Sequence, residues 1–259
     1  MFLRSNLISG FERVIIHPIA NAKSLAGVAS KKMYFAELNP ATLLSDYQNI
    51  SFTNTPSEFG LIELKSNNLI LNYSTNGKIY SGSIKKFGSD IYNESNYILS
   101  FSNLIEDNIA IGLNLNFNHL QIINYSSVIE PTFDFGFVMQ LNDDVTAAFV
   151  ASNLNIETLN KLENEIPMIV TWGIAYQYSD KGELCFDFVK SVSDDPEIIV
   201  GFEYEIHQQI TIMGGINSAR SFYSSGVKIN WENLDFSFSI NQHLILGSTN
   251  SFAISYNLQ

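Results

Sequence analysis

Charge is scarce in this sequence. Only 15% of its 259 residues are Asp, Glu, Lys or Arg, against about 25% in a typical soluble domain. A soluble protein coats itself with Lys and Glu, so the deficit points to a large surface facing something other than water. Hydrocarbon would explain it, since a cationic side chain near a bilayer midplane costs about 2–4 kcal/mol. Basic residues are the scarcer sign: 14 Lys and Arg against 26 Asp and Glu leave a net charge of −12. Such a chain lacks the basic face of a nucleic-acid binder, and no nucleic-acid partner is expected. Cys185 is the only cysteine, which excludes a disulfide framework and a thiolate metal cluster. No run of about 18 apolar residues occurs, so helical membrane spanning is excluded. His17, His119, His207 and His243 are scattered without the spacing of a metal site, and no Gly-x-Ser-x-Gly elbow is present. No cofactor, metal or enzymatic activity is expected.

What the chain has instead is period-two alternation. In Leu234–Asn241, Leu234, Phe236, Phe238 and Ile240 share one face, with Asp235, Ser237, Ser239 and Asn241 on the other. Ile109–Asn118, Thr132–Leu141, Ile198–Ile206 and Ser251–Gln259 repeat the pattern. A helix would scatter these residues around its circumference, so each segment reads as a strand. A soluble lipocalin-like barrel would bury the apolar face and wet the polar one. Two features favour the inverse: the polar face is Ser, Asn and Gly rather than Lys and Glu, and the apolar face of these strands is charge-free. From about residue 48 the chain therefore reads as an antiparallel transmembrane β-barrel of about fourteen strands in a bacterial outer membrane, with lipid as its surrounding partner.

The linkers alternate in length. Short ones fall at Thr75–Gly77, Glu106–Asn108, Asn142–Asp144, Ser179–Gly182, His207–Gln209 and Asn230–Asn233, several with the Asn, Asp and Gly of tight turns. Longer ones fall at Pro56–Ser66, Gly88–Ser95, Tyr125–Glu130, Asn155–Pro167, Val192–Pro196, Asn217–Ser221 and His243–Asn250. The short set fits periplasmic turns and the long set extracellular loops. Tyr178, Tyr204, Trp231 and Tyr256 are candidates for an interfacial aromatic belt.

Residues 1–47 do not alternate and divide from the barrel, residues 48–259, as an N-terminal plug expected in the lumen. Met1–Gly10 shows no uninterrupted hydrophobic leader and no small-residue cleavage site. Export then implies either a mature form or a start placed upstream. Asp187, Glu203 and Glu205 fall on the lumen-facing register. They are read as hydrating the lumen or meeting plug cations such as Lys23, Lys31 or Lys32, in preference to acid–base catalysis.

Ala26-Gly27-Val28-Ala29 followed by Asn39-Pro40-Ala41 resembles the N-terminal segment of the PorV/PorQ family of type IX secretion, within the FadL-like outer-membrane barrels. Asn39 suits a side-chain-capped turn, and Pro40 suits an end to pairing where the chain enters its first strand. Gly201-Phe202-Glu203-Tyr204, Met213–Ile216 with Tyr223–Gly226, and His243-Leu244-Ile245-Leu246-Gly247 resemble that family's late strands and final hairpin, in order. Thr42, Lys31-Lys32 and Asn250 depart from the family pattern. The resemblance implies a non-enzymatic accessory of protein secretion that binds secretion-machinery proteins, cargo or surface partners. The alternative it leaves open is FadL-like passage of hydrophobic small molecules. Lumen faces of Asn, Ser, Gly and acid weigh against an apolar ligand path.

Overall fold

The computed structural model describes residues 17–124, 126–155, 166–192, 194–218 and 222–258. Residues 1–16, with the leader reading of Met1–Gly10, and the linker centre at 156–165 lie outside the described residues. Alternating segments become strands β1 (Asn49–Thr55), β2 (Ser66–Thr75), β3 (Lys78–Gly88), β4 (Tyr92–Glu106), β5 (Ile109–Ile122), β6 (Ser126–Gln140) and β7 (Val145–Leu154). The wall continues with β8 (Ile169–Ser179), β9 (Gly182–Ser191), β10 (Glu197–His207), β11 (Ile210–Asn217), β12 (Phe222–Trp231), β13 (Leu234–His243) and β14 (Gly247–Asn257). Each pairs antiparallel with its sequence neighbours, and β14 pairs with β1 from Asn49↔Asn257 to Asn54↔Phe252. The result is a closed fourteen-stranded barrel with no free sheet edge.

Alternation decides which side each residue faces. On β13, Asp235, Ser237 and Ser239 point inward and are buried while Phe236 is exposed. On β10, Ile199, Gly201 and Glu203 are buried while Ile198, Phe202, Tyr204 and Ile206 are exposed. The exterior is apolar and the interior polar, the reverse of a soluble barrel. Tyr73, Tyr80, Tyr178, Tyr204, Trp231 and Tyr256 are exposed near the turn end of the wall. Tyr178 and Tyr204 stack there, with ring centroids 6.4 Å apart and planes within 9°.

Two linkers are much shorter than their composition predicts. The expected break at Gly88–Ser95 shrinks to residues 89–91, and most of Tyr125–Glu130 is the start of β6. At the loop end, Asn93, Glu94, Ser95 and Asn96 are polar on both faces, as are Ser126, Ser127 and Glu130 on at least one. Backbone pairing continues past the apolar band, but no hydrophobic period marks it.

The β2–β3 turn shows the local chemistry. Thr75 pairs with Lys78, leaving a two-residue loop in which Asn76 and Gly77 take φ of 51° and 70°. That conformation matches the strand twist and suits Asn-Gly. Replacing Gly77 by Ala is expected to destabilise the barrel by about 1 kcal/mol through the positive φ alone. The nearest neighbour of the added Cβ, Leu104 Cβ at 3.6 Å, is an ordinary contact. The thermal midpoint in detergent measures it.

Candidate functional site: the plugged lumen

The chain before β1 lies against the inner wall. It opens with a short helix, α1 (Pro18–Ala22), whose Pro18 sits in the first turn where its missing N–H is not needed. His17 caps it: Nδ1 accepts the Ile19 N–H at 3.4 Å, and Nε2 faces Ser255 Oγ at 3.3 Å. If Nδ1 accepts, the proton sits on Nε2 and is donated to Ser255, which in turn donates to Ser51 at 2.8 Å. The imidazole is fully buried and stacks on Phe35, with centroids 5.2 Å apart. Burial, and secondarily Lys228, push its pKa down from 6.5 to about 3.

Past α1 the plug runs as irregular backbone, which must find partners in a space it fills. Lumen Ser and Asn side chains supply them. Asn114 Nδ2 donates to Ala36 O at 2.8 Å, and Asn241 Nδ2 donates to Asn21 O at 3.1 Å in the last turn of α1 itself. Ser102 Oγ accepts from Thr42 N–H at 3.0 Å, and Ser74 Oγ from Tyr47 N–H at 3.0 Å. Asp187 Oδ2 accepts two backbone donors, Gly27 N–H at 2.7 Å and Val28 N–H at 3.1 Å. Between these bonds, small residues fill the gap: Ala26, Val28, Ala29 and Ala41 pack on Ala110, Ala148, Ala175 and Cys185 of the wall.

Lumen glycines set where plug and wall touch. Gly112 and Gly136 are register partners on β5 and β6. A Cβ on Gly112 would lie 2.2 Å from the Pro40 carbonyl, and one on Gly136 2.2 Å from Asn39 Oδ1. Gly201 and Gly215, partners on β10 and β11, meet Lys23 in the same way. Asn39-Pro40-Ala41 thus sits between two wall glycines, with Asn39 Oδ1 accepting Ala41 N–H at 2.9 Å and Nδ2 donating to Val28 O at 2.7 Å. Pro40 does not mark the start of the first strand, which comes later at Asn49. The tripeptide lies deep in the plug because a tight Asx turn and a ring without N–H suit a backbone pressed flat on glycine.

Two charge clusters of opposite polarity join plug to wall. Glu203 and Glu183 face each other directly across β10 and β9, an arrangement that is repulsive by itself. Lys23 of the plug lies between them, 3.0 Å from Glu203 Oε2 and 3.8 Å from Glu183 Oε2. Lys32 lies 3.4 Å from Glu203 Oε1, and Ser30 donates to Glu183 at 2.6 Å. Burial disfavours the Lys23 ammonium, but Glu203 and Glu183 outweigh it and hold its pKa above the ordinary lysine value. In the second cluster the signs are exchanged: Glu37 of the plug lies 3.6 Å from Lys85 on β3 and accepts from Asn68 at 3.0 Å and Ser83 at 2.9 Å.

Asp187 and Glu203 therefore both touch the plug, Asp187 through backbone and Glu203 through lysine. Glu205 lies on the same face but is only half-buried, and Lys31 makes no ion pair among the described residues. Glu183, Glu37, Lys85 and His17 were missing from the sequence-derived candidates. Glu183 shares the alternation of Asp187 and was legible on that ground. The other three were not, since nothing local reveals a partner so distant in the chain. Among the described residues no group of His, Cys, Asp and Glu is arranged to hold a metal ion.

There is little open space in the plug. A cavity bounded by Gly27, Val28, Tyr34, Phe35, Asn39 and Thr42 measures about 10 Å³, room for about one water. The wall has an irregularity where β6 slips on β7 between Phe133 and Phe135 and Asn153 takes φ 59°. Asp134 Oδ1 accepts the Asn153 N–H there at 2.9 Å, so the irregular backbone stays bonded.

Two outcomes are expected. Lys23→Ala leaves Glu203 and Glu183 facing each other without that cation and should weaken plug seating by about 3–5 kcal/mol. Limited proteolysis in detergent should then cut before Asn49 faster than in the wild type while the barrel survives. An unchanged digest refutes the role. His17, with its folded pKa below its unfolded value, stabilises the seated plug fully above about pH 6.5 and progressively less as pH falls towards 3. At pH 5 the loss is on the order of 2 kcal/mol. Added cleavage at pH 5 that His17→Asn removes reports on the imidazole.

Comparison with known proteins gives a fold. No protein-family description and no curated protein sequence matches the chain. Among solved structures it is similar to the CymD monoaromatic hydrocarbon channel, at TM-score 0.70 and 11% identity over 93% of this chain and 97% of that one. It is similar to the Pseudomonas putida toluene transporter TodX, at TM-score 0.70 and 9% identity over 93% and 97%. A Pseudomonas aeruginosa FadL homologue matches at TM-score 0.63 and 11% identity over 93% and 98%. The 211 residues from Asn49 onward are only about 81% of the chain, so the similarity reaches into the segment before the first strand. The chain has the FadL-like barrel fold.

Proposed function

We propose that this chain is a non-enzymatic outer-membrane barrel that passes hydrophobic small molecules, with the plug as its gate. The observation that carries this reading is the joint likeness of wall and plug segment to a hydrocarbon channel, a toluene transporter and a FadL homologue. The outer-membrane location is supported by the apolar exterior and by the exposed Tyr and Trp near the turn end, which suit the headgroup level. Among the described residues the cavity within the seated plug, about 10 Å³, is too small for such a ligand, and passage through it requires the plug to shift. Small packing residues and separate charge clusters suit a segment that moves as a body.

The polar, filled lumen favours a second reading. Ser, Asn and paired charges build no apolar path, and a barrel held shut would act at its rims. This is the accessory of type IX secretion implied by the resemblance to PorV/PorQ, binding cargo or a surface partner at the loop end.

Uptake into proteoliposomes separates the two. Radiolabelled toluene or a long-chain fatty acid should enter faster than into protein-free vesicles, and faster again with Lys23→Ala. Uptake equal to empty vesicles for both variants, with secretion-machinery proteins recovered on purification from native membranes, would overturn transport in favour of the accessory role.

A further inference from the structure

Several apolar residues are exposed at the loop rim, Ile91, Ile129 and Val192 among them, and five gather in one braced patch. Where β14 closes on β1, two adjacent loops expose Leu61, Ile62, Leu244, Ile245 and Leu246, with Ile62 69% and Ile245 87% accessible. Both loops are braced. Glu58 and Leu61 exchange backbone hydrogen bonds of 3.2 and 2.9 Å across a turn whose central Phe59 and Gly60 have φ of 54° and 81°. His243 Nδ1 accepts the N–H groups of Ile245 and Leu246, both at 3.0 Å, and Gly247 takes φ 104°. The Phe59 and His243 rings meet edge-on at 5.8 Å, and Phe59 N–H donates to Thr249 Oγ1 at 3.2 Å. The His-x-x-Leu-Gly pattern is thus a brace that presents Leu244–Leu246 to the outside.

The wall beneath this patch is low. Its outward apolar residues run from Ile50 to Phe52 on β1 and from Tyr73 to Leu69 on β2, and further on the other side of the seam, from Leu258 just past β14 to Phe252 and from Leu234 to Ile240 on β13. Asn250, Asn54 and Asn67 take the next outward positions, and Asn54 donates to Asn67 at 2.9 Å. These runs rise about 7 Å along β1, about 13 Å along β2 and about 20 Å along β13 and β14, against an apolar band of about 25 Å in outer-membrane barrels. On β10 the outward run from Ile198 to Ile206 rises about 27 Å along the strand.

We propose that these two loops lie down on the outer leaflet, inserting Leu61, Ile62 and Leu244–Leu246 into its interface over the low side of the barrel. The occupant is lipid because the patch extends the apolar wall of the same strands and supplies the height which that wall lacks. It folds over the Asn54–Asn67 pair, whose amides are already bonded to each other. Segments of this kind bury their apolar side about 5–10 Å into the headgroup–acyl boundary.

The inference rests on the outer-membrane reading, and the test separates the two. Single cysteines are placed in the full chain with Cys185→Ser, as Ile245→Cys and, independently, Ile62→Cys, and labelled with an environment-sensitive fluorophore in phosphatidylcholine bilayers. Phe52→Cys serves as the wall control and exposed Asp90→Cys as the aqueous control. Both loop probes should be quenched by spin-labelled lipid and be several-fold less sensitive to iodide than the Asp90 probe. Iodide quenching equal to that of the Asp90 probe, without lipid quenching, overturns the insertion while the Phe52 probe still reports lipid. Shielding from both quenchers by a co-purifying protein overturns it in favour of a protein partner. A Phe52 probe untouched by lipid overturns the membrane reading itself.

Discussion

The constraint on which this structure depends is the hydrogen bonding of an irregular chain enclosed by a barrel. From Lys23 to Gln48 the plug forms no helix or strand, so its backbone N–H and C=O groups cannot satisfy one another in a ladder. An unpartnered buried group costs about 1–3 kcal/mol, which repeated along such a segment would exceed the whole stability of a typical domain. The wall answers with Ser102, Ser74, Asn114 and Asp187, each bonded to a backbone atom of this segment. Seen this way, the Ser- and Asn-rich face is a set of fixed backbone partners as much as a wetted channel lining.

Glycine placement follows from the same constraint. Backbone-to-wall bonds need close approach, and Gly112, Gly136, Gly201 and Gly215 remove the Cβ atoms that would prevent it. The charge clusters act on top of this geometry. Glu183 opposite Glu203 is a local conflict that Lys23 resolves, which links a repulsive feature of the wall to the presence of the plug. Exchanged polarity at Glu37 and Lys85 ties a second part of the plug, so seating is specified in position as well as in energy. On the proposed gating, a ligand, a partner or a proton on His17 would act by loosening this fit.

Much of this was readable from particular residues. Leu234–Asn241 and Ile198–Ile206 disclosed strand, face and lumen at once, because one side of each strand meets an apolar medium and the other does not. Alternation failed at Asn93–Asn96 and Ser126–Glu130, where the wall rises beyond the apolar band and polarity no longer distinguishes its faces. Asn39-Pro40-Ala41 was visible as a turn, yet its place was misread, since a turn before a strand and a turn against two glycines have the same local chemistry.

By itself the sequence determined the barrel, its inverted polarity and its strand number, because period two and turn residues are local properties. Only the tertiary structure decided which carboxylate meets which lysine, that His17 is buried against Ser255 and Phe35, that the wall glycines seat the plug, and that Phe59 and His243 join two loops into one apolar patch. These contacts join residues as much as 180 or more positions apart, and nothing in the spacing of a closed sheet reveals them until β14 has found β1.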